Sequence, residues 1–489
     1  MKQTFLIWMA IAILLSVVSC TSGGPQTVVT TEKVTVTEEV SVLPPVYLNG
    51  KDINIYTRED TFDSQWNVEY TGDAVDNAVF NRNKLIEEKM GVFLNYWCNN
   101  FGDTAWGTKM MFKNAVMEGE GNIDIIEGLN HGMASWVPDG LFTDLLNTQK
   151  VVYLDFSKEY WPVSLREQLT VDDSMYIMTG EADLGVIKNT ICFYFNKEIV
   201  QNFKIEDPYD LVKSEEWTLE KMLELSQSVY TDRGEDGVDD NDLFGFMIEN
   251  ENQVNTFLTA SGVAITVKDE KNNLQFNLGS TEALDLIDKL NVITSDLSCR
   301  PIRLAGGKTG TAESLLYVFS SGHSLFSTGY FSYAAQLTAD EVSFGVLPYP
   351  TDNEGSDYHT TSNSYSMYAI ASASPNIAEA SAVLEALGYY GYTLTSPAYF
   401  ERGLQKRYSE TDLDAQMFDI IRRGLSFDLG DLLGPFTPND LNGITPELRR
   451  EIAYAKGMWT STWEKNRDTV NLYLSDYFDG VRALKIRAD

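Results

Sequence analysis

A short acidic loop has the carboxylate spacing that a hard cation requires. Residues 232–242 read DRGEDGVDDND, which places carboxylates at loop positions 1, 5 and 9 and a glycine at position 6, where a calcium loop turns sharply. Position 7 of such a loop contributes its backbone carbonyl. The sequence therefore predicts a structural calcium ion as the one expected cofactor, with the ligands Asp232, Asp236, Val238, Asp240 and Asn241.

Two residues of this loop depart from the calcium pattern. Gly234 supplies no side chain at position 3, and Leu243 stands where a calcium loop has its bidentate glutamate. Asn241 replaces that glutamate only in part. The alternative interpretation is a solvated acidic loop that joins a helix to a strand, and the sequence leaves both interpretations open.

Catalytic motifs are missing from the sequence. It contains no GxSxG, no HExxH, no phosphate loop ending in GKS or GKT and no GxGxxG. Because the sequence has 71 acidic residues, carboxylate pairs of the kind that glycosidases use must occur in it, and no pair stands out. Residues 306–310 (GGKTG) lack the spacing of a phosphate loop, which favours a flexible loop. The sequence therefore predicts a protein that is not an enzyme, with a surface glycosidase as the remote alternative.

Composition excludes further classes of function. The 489 residues include 37 basic and 71 acidic side chains, and the net charge of −34 opposes binding to nucleic acid or to an anionic membrane surface. An aromatic fraction of 12% suffices for a large core and for rings that line a cleft. With only 3 histidines a polyhistidine metal site is disfavoured. Cys98, Cys192 and Cys299 are expected to be buried free thiols.

The N-terminus has the features of an export signal. A basic start is followed by an apolar stretch at 5–18, which is too short for a membrane span, and then by a small residue and Cys20. This ending resembles a bacterial lipobox, so residues 1–20 are predicted to be a lipoprotein signal peptide and Cys20 the lipidated residue. A plain cleaved signal and an uncleaved anchor are the alternatives. Residues 21–45 are expected to form a flexible tether with a reach of about 25–30 Å.

Helices and strands alternate along the rest of the chain. Residues 52–56, 92–96 and 124–127 have strand patterns, and residues 76–90 and 104–117 have the apolar spacing of helices. This β-α-β-α-β order predicts an α/β fold with helical crossovers. Further strands are predicted at 190–195 and 344–347, and further helices at 218–230, 281–295, 373–390 and 412–423.

Four sequence blocks are similar, in order and spacing, to one protein family. They are FNK at 195–197, WT at 217–218 followed by FGF at 244–246, FGVLPYP at 344–350, and ASASPNIA at 371–378. Residues 46–489 thereby resemble the extracellular solute-binding proteins of family 1, the maltodextrin-binding-like lipoproteins that serve bacterial ABC importers.

The resemblance implies a two-lobe periplasmic-binding-protein-like α/β fold of type II, with a ligand cleft between the lobes. Lobe one is expected at 46–186 plus 363–396, and lobe two at 189–360 plus 398–489. Three interlobe crossings are expected, near 185–189, 360–365 and 395–399.

The implied function is that of a lipid-anchored receptor on the bacterial cell surface. Such a protein binds a carbohydrate, here expected to be an oligosaccharide, without chemistry and delivers it to the permease of an ABC importer. The resemblance implies a monomer that contacts the membrane only through its lipid. A two-lobe carrier or sensor for another solute, such as a peptide, is the alternative.

Residue types and positions suggest where a sugar would bind. Tyr330 matches the position of a stacking tryptophan in the maltodextrin-binding pattern, and Trp459 and Trp463 resemble a second cleft-facing segment. Loops after the carboxyl ends of strands face the crevice of an open α/β sheet. This rule adds Arg58, Glu59, Asp60, Asn130 and His131 to the predicted ligand contacts. Asn189 is added because it follows the first interlobe crossing. The alternative for each ring is core packing, and for each polar side chain a solvated loop.

Replacement of Cys20 by alanine tests the lipid anchor. A chain without this thiol cannot be lipidated there, so Cys20→Ala is expected to move the protein from the membrane fraction to the medium. Cell fractionation with immunoblotting measures the distribution, and Cys98→Ala, which removes a thiol outside the signal, is the control. A Cys20→Ala protein that stays in the membrane fraction would show that the lipobox interpretation is wrong.

Overall fold

The computed structural model describes residues 46–98, 123–234, 238–239, 241–248, 253–270, 273–300, 312–400, 412–438 and 443–488, and the single residues 43 and 113. The signal peptide, the tether apart from residue 43 and the helix predicted at 104–117 apart from residue 113 lie outside this part of the chain. Residues 43–489 form one unit, which contains two four-stranded sheets.

The first sheet has the strand order β10-β3-β1-β2. Strands β1 (Lys51–Thr57), β2 (Val92–Cys98) and β3 (Ile125–Leu129) are parallel. Strand β10 (Ser366–Ile370), from much later in the chain, pairs antiparallel with β3. The carboxyl ends of β1 and β3 and the amino end of β10 therefore meet at one edge of this sheet.

Helix α2 (Ala74–Met90) connects β1 to β2, and its ends are set by the sequence. The side chain of Asp73 accepts hydrogen bonds from the backbone N–H groups of Val75 at 2.8 Å and Asp76 at 3.3 Å, which would otherwise lack acceptors. Gly91 ends the helix with a φ of 63°, a left-handed conformation that glycine adopts at little cost.

The second sheet has the strand order β5-β8-β4-β9. Strand β4 (Ile191–Asn196) lies inside it and pairs antiparallel with both β8 (Ser324–Tyr330) and β9 (Phe344–Leu347). Strand β5 (Phe244–Met247) is parallel to β8. All residues of β4 are buried, as the bulky apolar pattern of this strand predicts.

The remaining elements of the described chain surround these sheets. Strands β6 (Thr266–Lys268) and β7 (Leu274–Phe276) form a separate hairpin. The helices are α1 (Glu59–Gln65), α3 (Asn130–Trp136), α4 (Val163–Leu169), α5 (Gly185–Lys188), α6 (Lys197–Phe203), α7 (Pro208–Lys213), α8 (Leu219–Val229), α9 (Thr256–Ala260), α10 (Thr281–Ser295), α11 (Ala312–Ser320), α12 (Tyr333–Ala339), α13 (Ile377–Tyr390), α14 (Asp412–Arg423), α15 (Leu429–Leu433), α16 (Ile444–Ala453) and α17 (Trp459–Ala488). None of the described helices combines the length and the apolar character that a membrane span needs.

Two chain segments join the sheets side by side. The chain passes from the first sheet to the second between β3 and β4, and it returns between β9 and β10. Where the segments meet, Thr190 bridges antiparallel to Ser362, and the backbone N–H of Asn363 donates to the carbonyl of Asn189 at 3.2 Å. We call residues 189–190 and 361–364 the paired connection.

The two sheets and their helices form the two-lobe α/β fold that the sequence predicts. Helix α13 packs against β10 and α2 of the first sheet, and α14 packs against β9 of the second. The predicted mixed α/β class is confirmed. We refer to the part built on the first sheet as the first lobe and to the part built on the second sheet as the second lobe.

Two expectations drawn from the sequence are corrected. Helix α13 begins at Ile377 rather than at residue 373, because Pro375 disfavours helical backbone at Ser374, whose hydroxyl instead donates to Asp124 at 2.6 Å. All three described thiols are free, but Cys98 is exposed at the end of edge strand β2, whereas the other two are buried.

The cap of α2 gives a measurable contribution to stability. Asp73→Ala is expected to lower the free energy of unfolding by about 1 kcal/mol, because two backbone N–H groups lose their acceptor. Asp73→Asn keeps an acceptor at the same place and is the matched control. Denaturant unfolding measures both variants, and an equal loss in the two would show that the cap is not the cause.

Candidate functional site

Polar side chains from several elements meet at the paired connection. Arg58, directly after β1, points Nη1 at the carbonyl of Ser364 and at the hydroxyl of Ser366, each at 3.4 Å. Asn189 Nδ2 donates to the same Ser364 carbonyl at 3.3 Å. Ser364 has a φ of 55°, a left-handed conformation in which its carbonyl serves both donors. Two residues that are far apart in the sequence, Arg58 and Asn189, are thus brought to one point.

Asn363 links the two lobes at the next position of the connection. Its Nδ2 lies 3.4 Å from the hydroxyl of Tyr330, at the end of β8, and its Oδ1 lies 3.4 Å from Nε2 of His131, on α3. The ring of Tyr330 is partly exposed and packs edge-on against Tyr333 with 5.3 Å between centroids. Gly329 permits this contact, because a Cβ there would lie 2.8 Å from the Tyr333 ring.

A small cavity of about 20 Å³ lies between the lobes beside this link. That volume admits a single water molecule. Asn130 Oδ1 and His131 Nδ1 are buried and have no hydrogen-bond partner in the described part of the chain. The lining residues are Asn130, His131, Thr361, Ser362, Asn363, Tyr365, Ser426, Phe427, Asp428, Asp431 and Leu432.

A buried carboxylate supports the site from inside the first lobe. Glu127, on β3, accepts hydrogen bonds from Trp66 Nε1 at 2.5 Å, from the Thr61 hydroxyl at 3.0 Å and from the Ser366 hydroxyl at 2.6 Å. Burial raises the pKa of Glu127, and the neighbouring Asp183 carboxylate adds to the increase. The carboxylate fixes Ser366, which in turn is one of the groups that face Arg58.

A second buried carboxylate holds the same serine. Asp183 accepts from the backbone N–H of Ser366 at 2.6 Å and from Gln65 Nε2 at 2.8 Å, and burial raises its pKa. Arg82, fully buried, donates to the backbone carbonyls of Gln65 at 2.7 Å and Ala182 at 3.1 Å. These charged residues could not be predicted from the sequence, because nothing in the helical and strand patterns marks them as buried.

Two predicted ligand contacts lie at the surface next to the site. Glu59 and Asp60 stand in the first turn of α1 and are exposed. Asp60 forms an ion pair with Arg58, with 2.5 Å between Oδ2 and Nη2. This pair orients the guanidinium toward the Ser364 carbonyl. Of the nine predicted contact residues, the structure thus gathers Arg58, Asp60, Asn130, His131, Asn189 and Tyr330 around the paired connection, with Glu59 beside them.

The two late tryptophans belong to the core and not to this site. Trp459 is 2% exposed, and its indole N–H donates to the carbonyl of Leu278 at 2.8 Å. Trp463 is 8% exposed, and its Nε1 lies 1.8 Å from where a Cβ on Gly279 would stand. Residues four apart share one face of a helix, so α17 buries both rings against the turn before α10. The interpretation of these rings as ligand contacts is corrected accordingly.

The acidic loop is described only in part. Asp236 and Asp240 lie outside the described residues. Asp232 Oδ1 accepts from the backbone N–H of Gly234 at 3.0 Å, and Val238 and Asn241 lie on the far side of the gap. The described part of the chain holds no cluster of three acidic, histidine or cysteine side chains that suits a metal ion.

A residue outside the predicted ligand set organises the described part of this loop. Asp242 is fully buried and accepts from the backbone N–H groups of Arg233 at 3.0 Å and Asp239 at 3.1 Å. Its carboxylate therefore ties the two sides of the loop together.

Solved structures match this chain over most of its length, whereas no family model and no curated protein sequence matches it. An ABC substrate-binding protein from Listeria monocytogenes in complex with cycloalternan is 12% identical, with a TM-score of 0.56, and the match covers 87% of this chain and 99% of that one. The GacH receptor of Streptomyces glaucescens, solved unliganded and with acarbose, is 13% identical, with a TM-score of 0.51 and coverage of 89% and 98%.

A third structure comes from the family named in the sequence analysis. It is a family 1 extracellular solute-binding protein from Bifidobacterium longum subsp. infantis, which is 13% identical, with a TM-score of 0.54, and the match covers 85% of this chain and 100% of that one. The chain therefore has the two-lobe fold of ABC substrate-binding proteins. Identity at this level establishes the fold and no more.

Substitution of Trp459 tests its assignment to the core. Trp459→Ala is expected to lower the free energy of unfolding by about 3–5 kcal/mol, because it leaves a cavity and an unpaired carbonyl at Leu278. Leu472→Ala on the same helix, where the side chain is 61% exposed, is the control. Denaturant unfolding without ligand measures both, and equal stability of the two variants would return Trp459 to the list of cleft residues.

Proposed function

We propose that this protein is the extracellular substrate receptor of an ABC importer and binds an oligosaccharide between its two lobes. The observation that carries the proposal is the convergence of Arg58, Asn189, His131 and Tyr330 on the paired connection. These residues come from both lobes and meet where the chain passes between them. A ligand that contacts residues of both lobes at once favours the closed arrangement of the lobes.

The chemistry of the site suits a sugar. Sugar hydroxyls need hydrogen-bond donors and acceptors in fixed positions. The Arg58 guanidinium supplies donors, and the Asn189 and Asn363 amides supply donors and acceptors. Sugar rings also present C–H faces, and the partly exposed ring of Tyr330 offers the flat surface on which such a face packs. The ligands named for the similar structures, cycloalternan and acarbose, support an oligosaccharide rather than a peptide.

The carboxylates of the first lobe are placed for structure and not for hydrolysis. Glu127 and Asp183 are fully buried, and donors of the protein itself occupy them. A glycosidase needs one carboxyl group on each side of the bond that it breaks, open to the substrate. We therefore propose binding without chemistry, in line with the ABC substrate-binding proteins whose fold this chain shares.

Location and partners follow from the same proposal. A lipid on Cys20 would hold the receptor on the outer face of the membrane, and the tether at 21–45 would let it reorient toward a permease of an ABC importer. We propose a monomer, since one chain supplies both lobes of the cleft. Calcium in the acidic loop stays a prediction, because two of its proposed ligands lie outside the described residues.

Removal of the Tyr330 ring tests the site. If the ring stacks on a sugar, Tyr330→Ala is expected to weaken binding of a linear or cyclic glucose oligosaccharide by roughly five- to a hundredfold, the range that about 1–3 kcal/mol of stacking gives. Tyr330→Phe keeps the ring and removes the hydroxyl that contacts Asn363, so it should retain most of the affinity.

The control and the readout separate binding from folding. Tyr317→Ala removes a tyrosine that is 72% exposed on α11 and should leave affinity unchanged. Isothermal titration calorimetry against maltotetraose, cycloalternan and acarbose measures affinity, and chromatography of the mixtures checks for products. Release of shorter sugars, or unchanged affinity in Tyr330→Ala together with a loss of stability, would contradict the proposal.

A further inference from the structure

Helix α17 begins on the second lobe. It is 30 residues long, which corresponds to a length of about 45 Å. In its first turn Trp459 donates to the carbonyl of Leu278 at 2.8 Å. Further along the helix, Asn471 Oδ1 accepts from the backbone N–H of Phe276, the last residue of β7, at 2.9 Å. Both partners lie in the chain segment between β5 and β8, so the first half of α17 is fixed to the second lobe.

The last turns of α17 lie on the first lobe. A Cβ on Gly480 would stand 2.8 Å from the Cβ of Pro138, in the short turn that follows α3. One turn later, Leu484 Cδ2 would lie 3.1 Å from a Cβ on Gly140. Glycine weakens the interior of a helix relative to alanine, so Gly480 is explained by this close approach and not by helix formation.

Charged side chains extend the same contact. Arg482 Nε donates to Asp172 Oδ2 at 3.1 Å, and Lys485 Nζ donates to the backbone carbonyl of Asp172 at 2.6 Å. Arg482 Nη2 also donates to Asn273 Oδ1 at 2.6 Å, between β6 and β7. We call the contact of residues 480–485 with residues 138–140 and 172 the C-terminal contact.

A tight turn of the first lobe presents both acceptors of Asp172. Val171 and Ser174 exchange two backbone hydrogen bonds of 2.9 Å, and Asp172 and the residue after it have φ values of 48° and 65°. This left-handed conformation is costly for most side chains, and aspartate is among the residues that tolerate it. The turn belongs to the first lobe, because Met178, a few residues later, bridges to β10. Arg482 therefore joins a residue of the first lobe to one of the second.

We propose that the C-terminal contact stabilises the closed arrangement of the lobes and thereby raises the affinity of the cleft for its ligand. Since α17 is fixed to the second lobe at its start, the lobes separate on this side only if its end leaves the first lobe or if the helix bends. The helix contains no proline, the commonest cause of a sharp bend, which favours release of its end.

The proposed effect acts at a distance from the ligand. None of the residues of the C-terminal contact is among the predicted ligand contacts, and none belongs to the paired connection. A ligand that binds the closed arrangement has an apparent affinity that falls with the fraction of molecules that are closed. Loss of the contact lowers this fraction and leaves the groups that face the ligand unchanged. The inference deepens the proposed function, and its effect on affinity rests on that function.

The apolar part of the contact is expected to contribute more than the charged part. The side chains of Arg482 and Asp172 are 31% and 56% exposed, and ion pairs at such exposed positions contribute little. Gly480 instead lies against Pro138 with no room for a further carbon atom. A larger side chain at residue 480 is therefore the sharper way to break the contact.

Electron paramagnetic resonance measures the distance between the lobes without any ligand. Spin labels are attached at Val152→Cys in the first lobe and at Tyr317→Cys in the second lobe, where the native side chains are 55% and 72% exposed. Cys20→Ala and Cys98→Ala remove the other accessible thiols, and the remaining two are buried. In this labelled parent protein we expect one short distance.

Substitution of Gly480 is the main test. Gly480→Leu should add a longer distance between the labels, because the leucine side chain does not fit between α17 and Pro138. Leucine favours the helix more than glycine does, so unfolding of α17 is not the expected cause of a longer distance. Ser475→Leu introduces the same side chain at an exposed position of the same helix and should leave the distance unchanged.

A second pair of variants tests the charged part of the contact. Arg482→Ala should lengthen the distance in the same direction and by less. Arg467→Ala removes an exposed arginine of the same helix, whose ion pair is with the adjacent Asp468, and is the control. Isothermal titration calorimetry with maltotetraose should show affinity that is weaker by roughly fivefold or more in Gly480→Leu, within the usual range of coupling between distant sites.

Several results would overturn the proposal. They are an unchanged or shorter distance in Gly480→Leu, an equal change in Ser475→Leu, or a longer distance with unchanged affinity for maltotetraose. Arg482→Ala alters only a surface side chain, so an unchanged distance there would overturn the proposal even where Gly480→Leu fails to fold. Failure of the proposed function is distinguishable, because it would appear as the absence of oligosaccharide binding in the parent protein while the distances change as described.

Discussion

The structure depends on one constraint, which is the position of Ser366 between two buried carboxylates. Asp183 holds its backbone N–H and Glu127 holds its hydroxyl, so the chain re-enters the first sheet at a fixed point as β10. That point sets the positions of the residues just before it. The Ser364 carbonyl then faces Arg58 and Asn189, and Asn363 reaches both lobes. The interlobe site therefore rests on two buried carboxyl groups that lie behind it.

The sequence predicted those features that local rules determine. The helix predicted at 281–295 matches α10 at both ends, because a serine cap precedes it and its apolar positions have helical spacing. The rule that loops after strand ends face the crevice predicted Arg58, Asn130 and His131, which lie around the paired connection. The same local rules failed for Trp459 and Trp463, because a tryptophan pair four residues apart fits a core face as well as a cleft. They also missed Glu127, Asp183 and Arg82, since burial of a charge depends on residues that are distant in the sequence.

The lobes are joined by different kinds of contact on the two sides of the site. The paired connection consists of backbone hydrogen bonds, which persist whatever the side chains do. Helices α3 and α15 meet beside the small cavity, which residues of both helices line.

The position of Cys98 has a practical consequence. This thiol is exposed at the carboxyl end of β2, on the same edge of the first sheet as the start of the site, and the other two described thiols are buried. Burial keeps both inner thiols away from solvent, so among the described cysteines a maleimide dye would attach selectively at Cys98. A fluorophore at that edge would lie close to the site that the paired connection forms. The molecule thus carries a natural attachment point for a single optical label beside the paired connection.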